Sequence, residues 1–310
     1  MKTIVLIPTR NEEWILESTL KNTSPYVDLI IVADQSSTDR TVEICGKFSN
    51  VKVINNPNEE HSNKVRWLLL EEARKEGSGN LIICIDADEA ISPKAIEEMK
   101  NASPKPGDVF KFKWIQLWRS NHEYMEEGVW KNNFKIIAFV DGNENEYKKD
   151  FVINDHTTRV PDTNIGKVFD VSYPLLHFHF VAWRRTELKQ VWYRCTELIA
   201  GKRNAKRINN TYRVTLMSDS VVGKPVPKEW TEGLVLPTNL ENTTSEWHLI
   251  EIKGFFDKYG IEFFEGLQIW HVPELKAEFI KRAGRDPVSK TYPGWLVLIN
   301  EIRHTIKKFI

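Results

Sequence analysis

Leu81-Ile-Ile-Cys-Ile-Asp86-Ala-Asp88-Glu89 decides the fold. Five apolar residues, opening after Gly77-Ser-Gly79, run straight into two aspartates separated by one alanine. An apolar run this short and this rich in β-branched residues has the pattern of a strand covered on both faces, as in a parallel sheet. Open α/β sheets place ligands at the carboxyl ends of their strands, which is where both carboxylates fall. Two carboxylates at that spacing suit a hard divalent cation that keeps substrate phosphates among its other ligands. The tripeptide alone is a weak signal. With 14 Asp in 310 residues, chance supplies about 0.6 Asp-x-Asp per chain, and an exposed acidic turn explains a bare match. Its position at the end of an apolar strand gives it weight.

Upstream, Thr3 to Ile7 form an apolar run closed by Pro8, which predicts a first strand. Glu12 and Glu13 precede Trp14-Ile15-Leu16, with Leu20 in helical register, and predict a helix carrying two acids in its first turn. Val27 to Val32 read as a second strand, followed by Asp34-Gln-Ser-Ser-Thr-Asp39. Arg40 to Phe48 read as a short helix, Val51 to Ile54 as a third strand, and Asn63 to Lys75 as a helix with Val65, Leu68, Leu69 and Ala73 on one face. Strands alternating with helices predict βαβ units, hence an α/β fold with a parallel sheet. Neither Gly-x-Gly-x-x-Gly nor a Walker loop is present, and the first loop is Pro8-Thr-Arg-Asn-Glu12. That disfavours a dinucleotide dehydrogenase or a P-loop kinase.

The bulk numbers exclude further classes. At 28% charged and 41% apolar residues the chain is globular. Lys plus Arg and Asp plus Glu balance at 43 each, giving none of the basic excess that a sequence-independent nucleic-acid binder needs. Cys45, Cys84 and Cys195 are far apart, with no CxxC or Cys/His cluster, so neither a disulfide framework nor structural zinc is expected. The opening Met1 to Pro8 is too short and too soon broken for a signal peptide, and no stretch reaches the length of a membrane span. A reducing, cytoplasmic location is the resulting expectation.

Three stretches carry a resemblance. Ile7-Pro8-Thr9-Arg10-Asn11-Glu12, Val32-Ala-Asp34-Gln-Ser-Ser-Thr38-Asp39-Arg-Thr41 and Ile85-Asp86-Ala-Asp88-Glu89 resemble the motifs of glycosyltransferase family 2, in the family's order and at its usual separations. The resemblance covers the first hundred residues closely and the next hundred loosely. It is nearest the branch that builds bacterial lipopolysaccharide cores and related glycans. It implies a GT-A fold: a Rossmann-like mixed sheet flanked by helices, here with a mostly helical C-terminal extension. By the same resemblance, Pro8, Thr9, Arg10, Asn11, Glu12 and Asp34 hold the base and ribose of a nucleotide-sugar, and Arg66 and Asn63 lie near the base. Asp88 of the DXD motif would bind Mg2+ or Mn2+, with Asp86 nearer the ribose or the metal's water and His177 as a later metal contact. Such a cation, as Lewis acid, would neutralise the departing nucleoside diphosphate. Local readings compete: Asp39 as a helix cap, Glu12 serving only the helix dipole, Arg66 and Asn63 on a solvated face, His177 as a core histidine. Glu89 either orients the ligands or begins the next helix with Ser92-Pro93.

Beyond residue 100 the signals are fewer. Ser103 to Gly107 is a turn, and Val109 to Trp118 alternates as a strand with Phe110, Phe112 and Trp114 on one face. Those aromatics read first as core and second as a platform for a sugar or base. Asn133 to Val140 reads as another strand. Val152-Ile-Asn-Asp155-His156-Thr-Thr-Arg159 is the stretch for a general base, which inverting transfer needs to take the acceptor hydroxyl's proton. Asp155 is the first candidate, followed by His156, Glu126 and Glu127; related enzymes often carry His-Glu where this chain has His156-Thr157. The alternative is that Asp155 and Thr157 only build a turn. In Leu175-Leu-His177-Phe-His179-Phe the two histidines have the period of a strand and face one side. Arg184, Arg185 and Lys189 open a helix and read either as diphosphate contacts or as a solvated face.

From Gly201 the composition shifts to a basic cluster (Lys202 to Arg207), a rigid loop (Gly223 to Trp230), helices over Ile252–Tyr259 and Leu275–Arg282, and an amphipathic terminal helix from Trp295 to Ile310. Docking on the catalytic domain, pairing in a homodimer and lying on a membrane surface are the three roles open to that last helix. The expected division is a catalytic domain over 1–200, with a nucleotide-sugar half to about 100 and an acceptor half beyond it, and an extension over 201–310. The expected function is metal-dependent, inverting transfer of a sugar, of hexosyltransferase type, from a nucleotide-sugar donor to a hydroxyl of a glycan or lipid-linked acceptor. The setting would be cell-surface polysaccharide biosynthesis, in the cytoplasm or at the inner face of the membrane. A nucleotidyltransferase would need a Gly-rich basic first loop where only Arg10 stands; a catalytically silent nucleotide-sugar-binding scaffold is the reading from another class.

Overall fold

β1 (Thr3–Thr9) is the axis of the sheet, and its alternation explains the layers. Val5 and Ile7 point into one core with Leu16, Leu20, Ile44, Ile96 and Met99, whereas Ile4 and Leu6 point into a second with Val65, Leu69, Leu70 and Ala73. A strand buried on both faces must be apolar at consecutive positions, which is the pattern read from sequence. The computed structural model describes residues 1–57, 64–127, 130–147, 159–201, 203–216, 221–240, 243 and 245–291. The stretch with Asp155 and His156, Asn63, Lys202 and the terminal helix from Trp295 lie outside the described residues.

The chain continues through α1 (Leu16–Thr23), β2 (Leu29–Asp34), α2 (Thr41–Cys45), β3 (Val51–Asn55), α3 (Lys64–Arg74), β4 (Leu81–Cys84), β5 (Glu89–Ile91) and α4 (Pro93–Asn101). Next come β6 (Val109–Trp118), β7 (Glu123–Met125), β8 (Phe134–Val140), β9 (Val168–Asp170) and β10 (Leu175–Phe180). Then follow α5 (Trp183–Ile199), α6 (Ala205–Thr211), β11 (Lys224–Pro225), α7 (Lys228–Thr231), α8 (Glu246–Tyr259) and α9 (Pro273–Ala283). The sheet runs β11-β7-β6-β8-β4-β1-β2-β3, with β5, β9 and β10 paired off that path. β4, β1, β2 and β3 are parallel, while β8 is antiparallel to both β4 and β6. β6 splits its pairing: Val109 to Lys113 bond β8, and Trp114 to Trp118 bond β10.

Two expected boundaries move for identifiable reasons. Pro8 lies inside β1 rather than ending it, paired with Ala33. The Leu6 carbonyl accepts from Ile85 N–H at 3.2 Å on the β4 side. Period two puts the Pro8 nitrogen on that side too, beyond the last β4 pair, Leu6↔Cys84, so its missing N–H forfeits no ladder bond. α1 begins at Leu16, and the Glu12 carbonyl instead closes a turn by accepting from Ile15 and Leu16 N–H at 3.1 and 2.9 Å. Glu12 and Glu13 therefore precede the helix, and Glu17 is the acid in its first turn.

The compact units do not divide at residue 200. One comprises Met1–Val181 with Gly223–Leu240, and the other Ala182–Val222 with Glu241–Ile310. α5 carries Leu188, Val191 and Cys195 into a helical core with Ile252, Phe256, Phe264, Leu275 and Phe279, which makes it part of the second unit. Trp230, Leu234, Leu236 and Leu240 pack instead with Ile115, Leu117, Tyr124 and Phe178 of the first. No described helix is long and apolar enough to cross a membrane.

Candidate active site

The loops after β1 and β2 are laced to each other by side chains. The Asn11 backbone is left-handed (φ 53°), a conformation asparagine tolerates. Its N–H donates to Ser37 Oγ at 2.8 Å, and its Oδ1 accepts from Thr38 N–H at 2.7 Å. Glu12 N–H donates to Thr41 Oγ1 at 2.9 Å, and Glu12 Oε2 accepts from Trp14 Nε1 at 2.5 Å. Asp39 accepts from the N–H of Thr41, the first residue of α2, at 2.9 Å and from Glu13 N–H at 3.1 Å, so it ties the two loops together ahead of that helix. Register pairs Thr9 with Asp34 at the carboxyl ends of β1 and β2. Asp34 Oδ2 accepts from Ser37 N–H at 3.0 Å. Asp34 Oδ1, Thr9 Oγ1 and Arg66 Nη1 are buried and, among the described residues, have no hydrogen-bond partner.

The acidic stretch after β4 is held by two arginines. Arg66 Nη2 donates to Asp86 Oδ1 at 2.7 Å, and Arg159 Nη2 donates to Asp86 Oδ2 at 2.7 Å. Arg159 also grips Glu89 with both nitrogens, Nη2 at 2.9 Å from Oε1 and Nη1 on Oε2. Glu89 is fully buried and accepts further from Asp86 N–H at 2.9 Å and Trp114 Nε1 at 2.8 Å. Burial opposes charge on Asp86, but Arg159 and Arg66 outweigh it and hold the carboxyl below the usual range. Burial likewise opposes charge on Arg159, and Asp86 and Glu89 reverse it, raising its pKa. Glu89 does not begin a helix: it starts β5, opposite His177 in β10, and Ser92 caps α4.

Asp88 turns the other way, toward β10. Its carbonyl accepts from Phe178 N–H at 2.9 Å, which fixes the loop to that strand. Asp88 Oδ1 lies 3.3 Å from His177 Nε2, and Oδ2 lies 4.0 Å from His179 Nδ1. The ligand atoms of these three residues all fall within 4.8 Å of one another, a group that could hold a metal ion. The buried Gln116 amide sits 2.9 Å from His177 Nδ1, and the imidazole stacks on Trp114 at 4.7 Å. With Gln116 Oε1 accepting from Nδ1–H, the Nε2 lone pair faces Asp88; such outer partners fix a ligand's tautomer and orientation.

Residues 4–156 match the family described as Glycosyl transferase family 2. That segment is 153 of the 310 residues, just under half of the chain, and over it the chain is similar to glycosyl transferase family 2. Its mixed sheet with flanking helices is the GT-A arrangement, and the family is one of glycosyltransferases. The comparison with curated proteins gives no match. Among solved structures, glucosyl-3-phosphoglycerate synthase from Mycobacterium tuberculosis, in complex with Mn2+, UDP and glucosyl-3-phosphoglycerate, is 25% identical over 38% of this chain, with TM-score 0.29. The match spans 44% of that enzyme's length. S. aureus TarS 1–349 is 14% identical over 89% of this chain and 83% of that one, with TM-score 0.42. A 4-diphosphocytidyl-2C-methyl-D-erythritol synthase is 14% identical over 55% and 89%, with TM-score 0.40.

Placed on the family 2 frame, the sequence-derived residues separate into groups. Pro8, Thr9, Arg10, Asn11, Glu12 and Asp34 lie together on the paired loops, where Asn11 and Glu12 also bond within the loop architecture. Asp86 stands apart from the metal-binding group because both its oxygens are held by guanidinium groups. His177 and His179 do face one side, and His179 joins Asp88 where only His177 had been singled out. Phe110 and Phe112 are core, whereas Trp114 serves the site through Glu89 and His177. Arg184 pairs with Glu274 at 2.6 Å, as a structural ion pair would. Glu126 is engaged by Lys224 at 2.5 Å, which lowers its pKa and makes it a poorer base. Arg159 and Gln116 had no role assigned from sequence; their partners are distant in the chain, and no local pattern announces them.

Proposed function

We propose that the protein is a nucleotide-sugar-dependent inverting glycosyltransferase whose donor spans the ends of β1, β2 and β4. The observation that carries this is the set of partnerless buried atoms at those ends: Thr9 Oγ1, Asp34 Oδ1 and Arg66 Nη1. A buried polar group without a partner costs about 1–3 kcal/mol, so donors and acceptors left open together mark a place that a ligand completes. Asp34 and Thr9 suit the hydroxyls and polar edge of a nucleoside, and Arg66 suits a phosphate or base oxygen.

The donor set of Asp88, His177 and His179 fits a divalent cation. Bound there, the ion would supply Lewis-acid stabilisation of the leaving diphosphate. The chain's own charges leave room for it. Among the described residues of this cluster, Asp86, Asp88 and Glu89 face Arg66, Arg159 and Lys135, so the side chains roughly cancel and the ion's charge remains for the diphosphate. Asp86 and Glu89 keep Arg159 and Arg66 in place, and Gln116 and Trp114 orient His177. In the transfer, the acceptor oxygen bonds to the anomeric carbon as its bond to the diphosphate breaks, and the acceptor proton goes to a base. Asp155 is the base assigned here, with His156 as its alternative. The acceptor is a glycan or lipid-linked hydroxyl, the transferred sugar a hexose, and the setting cell-surface polysaccharide synthesis.

The test is thermal stabilisation by UDP, GDP, CDP and dTDP, each with and without Mn2+. One nucleoside diphosphate should raise the melting temperature, more so with Mn2+. If all four leave it unchanged under both conditions, the reading is wrong.

A further inference from the structure

Lys135 is an unusual lysine for the face of a sheet. It lies on β8 opposite Phe112, half-buried, with Nζ 4.5 Å from the centre of the Trp114 ring. Its neighbours on β6 each have a carboxylate: Lys111 pairs with Asp170 at 2.8 Å, and Lys113 lies 3.9 Å from Glu126. Among the described residues Lys135 has no hydrogen bond or ion pair, only the indole face. Burial, reinforced by Arg159, pushes its pKa down and outweighs the opposing pull of Glu89 and Asp86. The oxygens of Asp86 and Glu89 are bonded by Arg66 and Arg159, so among the described residues no carboxylate bonds Lys135, and a ring face replaces only part of its lost hydration.

Its position says which anion. Asp86 and Glu89, at the exit of β4, act electrostatically on Lys135, which places it beside the acidic stretch. Strand order places β8 on one side of β4, and β1 and β2, with Thr9 and Asp34, on the other. A donor with its nucleoside at Asp34 and its diphosphate at Asp88 thus leaves Lys135 on the side from which a second substrate approaches. Trp114 joins the two places, touching Lys135 and stacking on His177. Trp130, with its ring centre 6.1 Å from that of Trp114, adds a second half-buried indole beside it.

Resting on the glycosyl-transfer reading above, we propose that Lys135 binds an anionic group of the acceptor, a phosphate or carboxylate, so that the acceptor is an acidic rather than a neutral glycan.

The test compares glucose, glucuronate and glucose 6-phosphate on protein saturated with Mn2+ and the nucleoside diphosphate that stabilises it, followed by tryptophan fluorescence. The two acidic sugars should bind at least about tenfold tighter than glucose, the scale of one charge-assisted hydrogen bond. Lys135→Met should abolish that preference and Lys135→Arg retain most of it, with nucleoside diphosphate affinity altered less than about threefold. Equal binding of neutral and acidic sugars by the wild type overturns the proposal, as does a preference that survives Lys135→Met. A tenfold loss of nucleoside diphosphate affinity with monophosphate affinity unchanged would assign Lys135 to the donor and also overturn it. Repeating the series with Mn2+ alone keeps the two readings apart. A Lys135-dependent preference without any nucleotide binding would sink the donor assignment and leave the acidic subsite standing.

Discussion

Replacing Arg159 by methionine should destabilise the first unit severely, because Arg159 is the hub of the acidic stretch. It is 7% exposed and donates to a fully buried Glu89 and to Asp86. Removing one partner of a buried pair typically costs about 3–5 kcal/mol, since the remaining charge is stranded. Glu89 would keep Asp86 N–H and Trp114 Nε1 as donors, and Asp86 would keep Arg66. The loss should therefore lie near the lower end, at roughly 3–4 kcal/mol. In a unit of about 200 residues, that corresponds to roughly 6–16 °C in Tm. Urea unfolding, read by a change in midpoint at constant slope, measures it. The decisive comparison is Arg159→Met with Glu89→Gln: neutralising the stranded carboxyl should restore part of the loss, so the double variant is less unstable than the two singles summed. A cost below about 1 kcal/mol for Arg159→Met, or strict additivity in the cycle, would refute the hub.

Three further outcomes follow from the same geometry. Two imidazoles beside one carboxylate favour a first-row transition ion over the oxygen-preferring Mg2+, so Mn2+ should bind at least about tenfold tighter by calorimetry, and His179→Ala should narrow that ratio. Asp34→Asn should weaken nucleoside diphosphate binding about tenfold or more while leaving Mn2+ affinity in the absence of nucleotide unchanged, since the donor placement proposed above puts Asp34 at the nucleoside and not at the ion. Arg159 and Arg66 hold the Asp86 carboxyl below the usual range, so the unfolded chain takes up its proton first as pH falls. The stabilisation is present above the ordinary aspartate pKa near 4 and is lost progressively as pH falls from there toward the lower folded-state value, so Asp86→Asn should flatten the fall in urea midpoint below about pH 5.

How much of this could be read in advance depended on range along the chain. The parallel half of the sheet was legible because each of its buried strands is an apolar run with a breaker behind it, and the Val109–Trp118 strand because alternation is a local pattern. Element ends were less so: Pro8 looked terminal, and only the early departure of β4 from the ladder explains why it is not. The unit boundary escaped for a similar reason, because a basic, polar stretch after residue 200 looks like a linker. What decides membership is which core α5 and the strap at Gly223–Leu240 enter. In the site, placement puts Asp88 at a strand end and period puts the two histidines on one face, while a metal role for Asp88 and His177 came only with the family resemblance. The partition between Asp86 and Asp88 was not legible, since it is imposed by Arg66 and Arg159, from 20 and 73 residues away. Arg159 has no sequence signature at all; burial of Glu89 is what demands it.

The central claim is that Asp88, and not Asp86, holds the cation that meets the diphosphate. Mn2+ titration of the full chain with UDP or the nucleoside diphosphate that stabilises it, read from the free-ion EPR signal, tests this most directly. One ion should bind per chain, with affinity falling at least about tenfold in Asp88→Asn and by less than about threefold in Asp86→Asn. Equal losses in the two variants, or an Asp88→Asn protein that binds Mn2+ as the wild type does, would contradict the account.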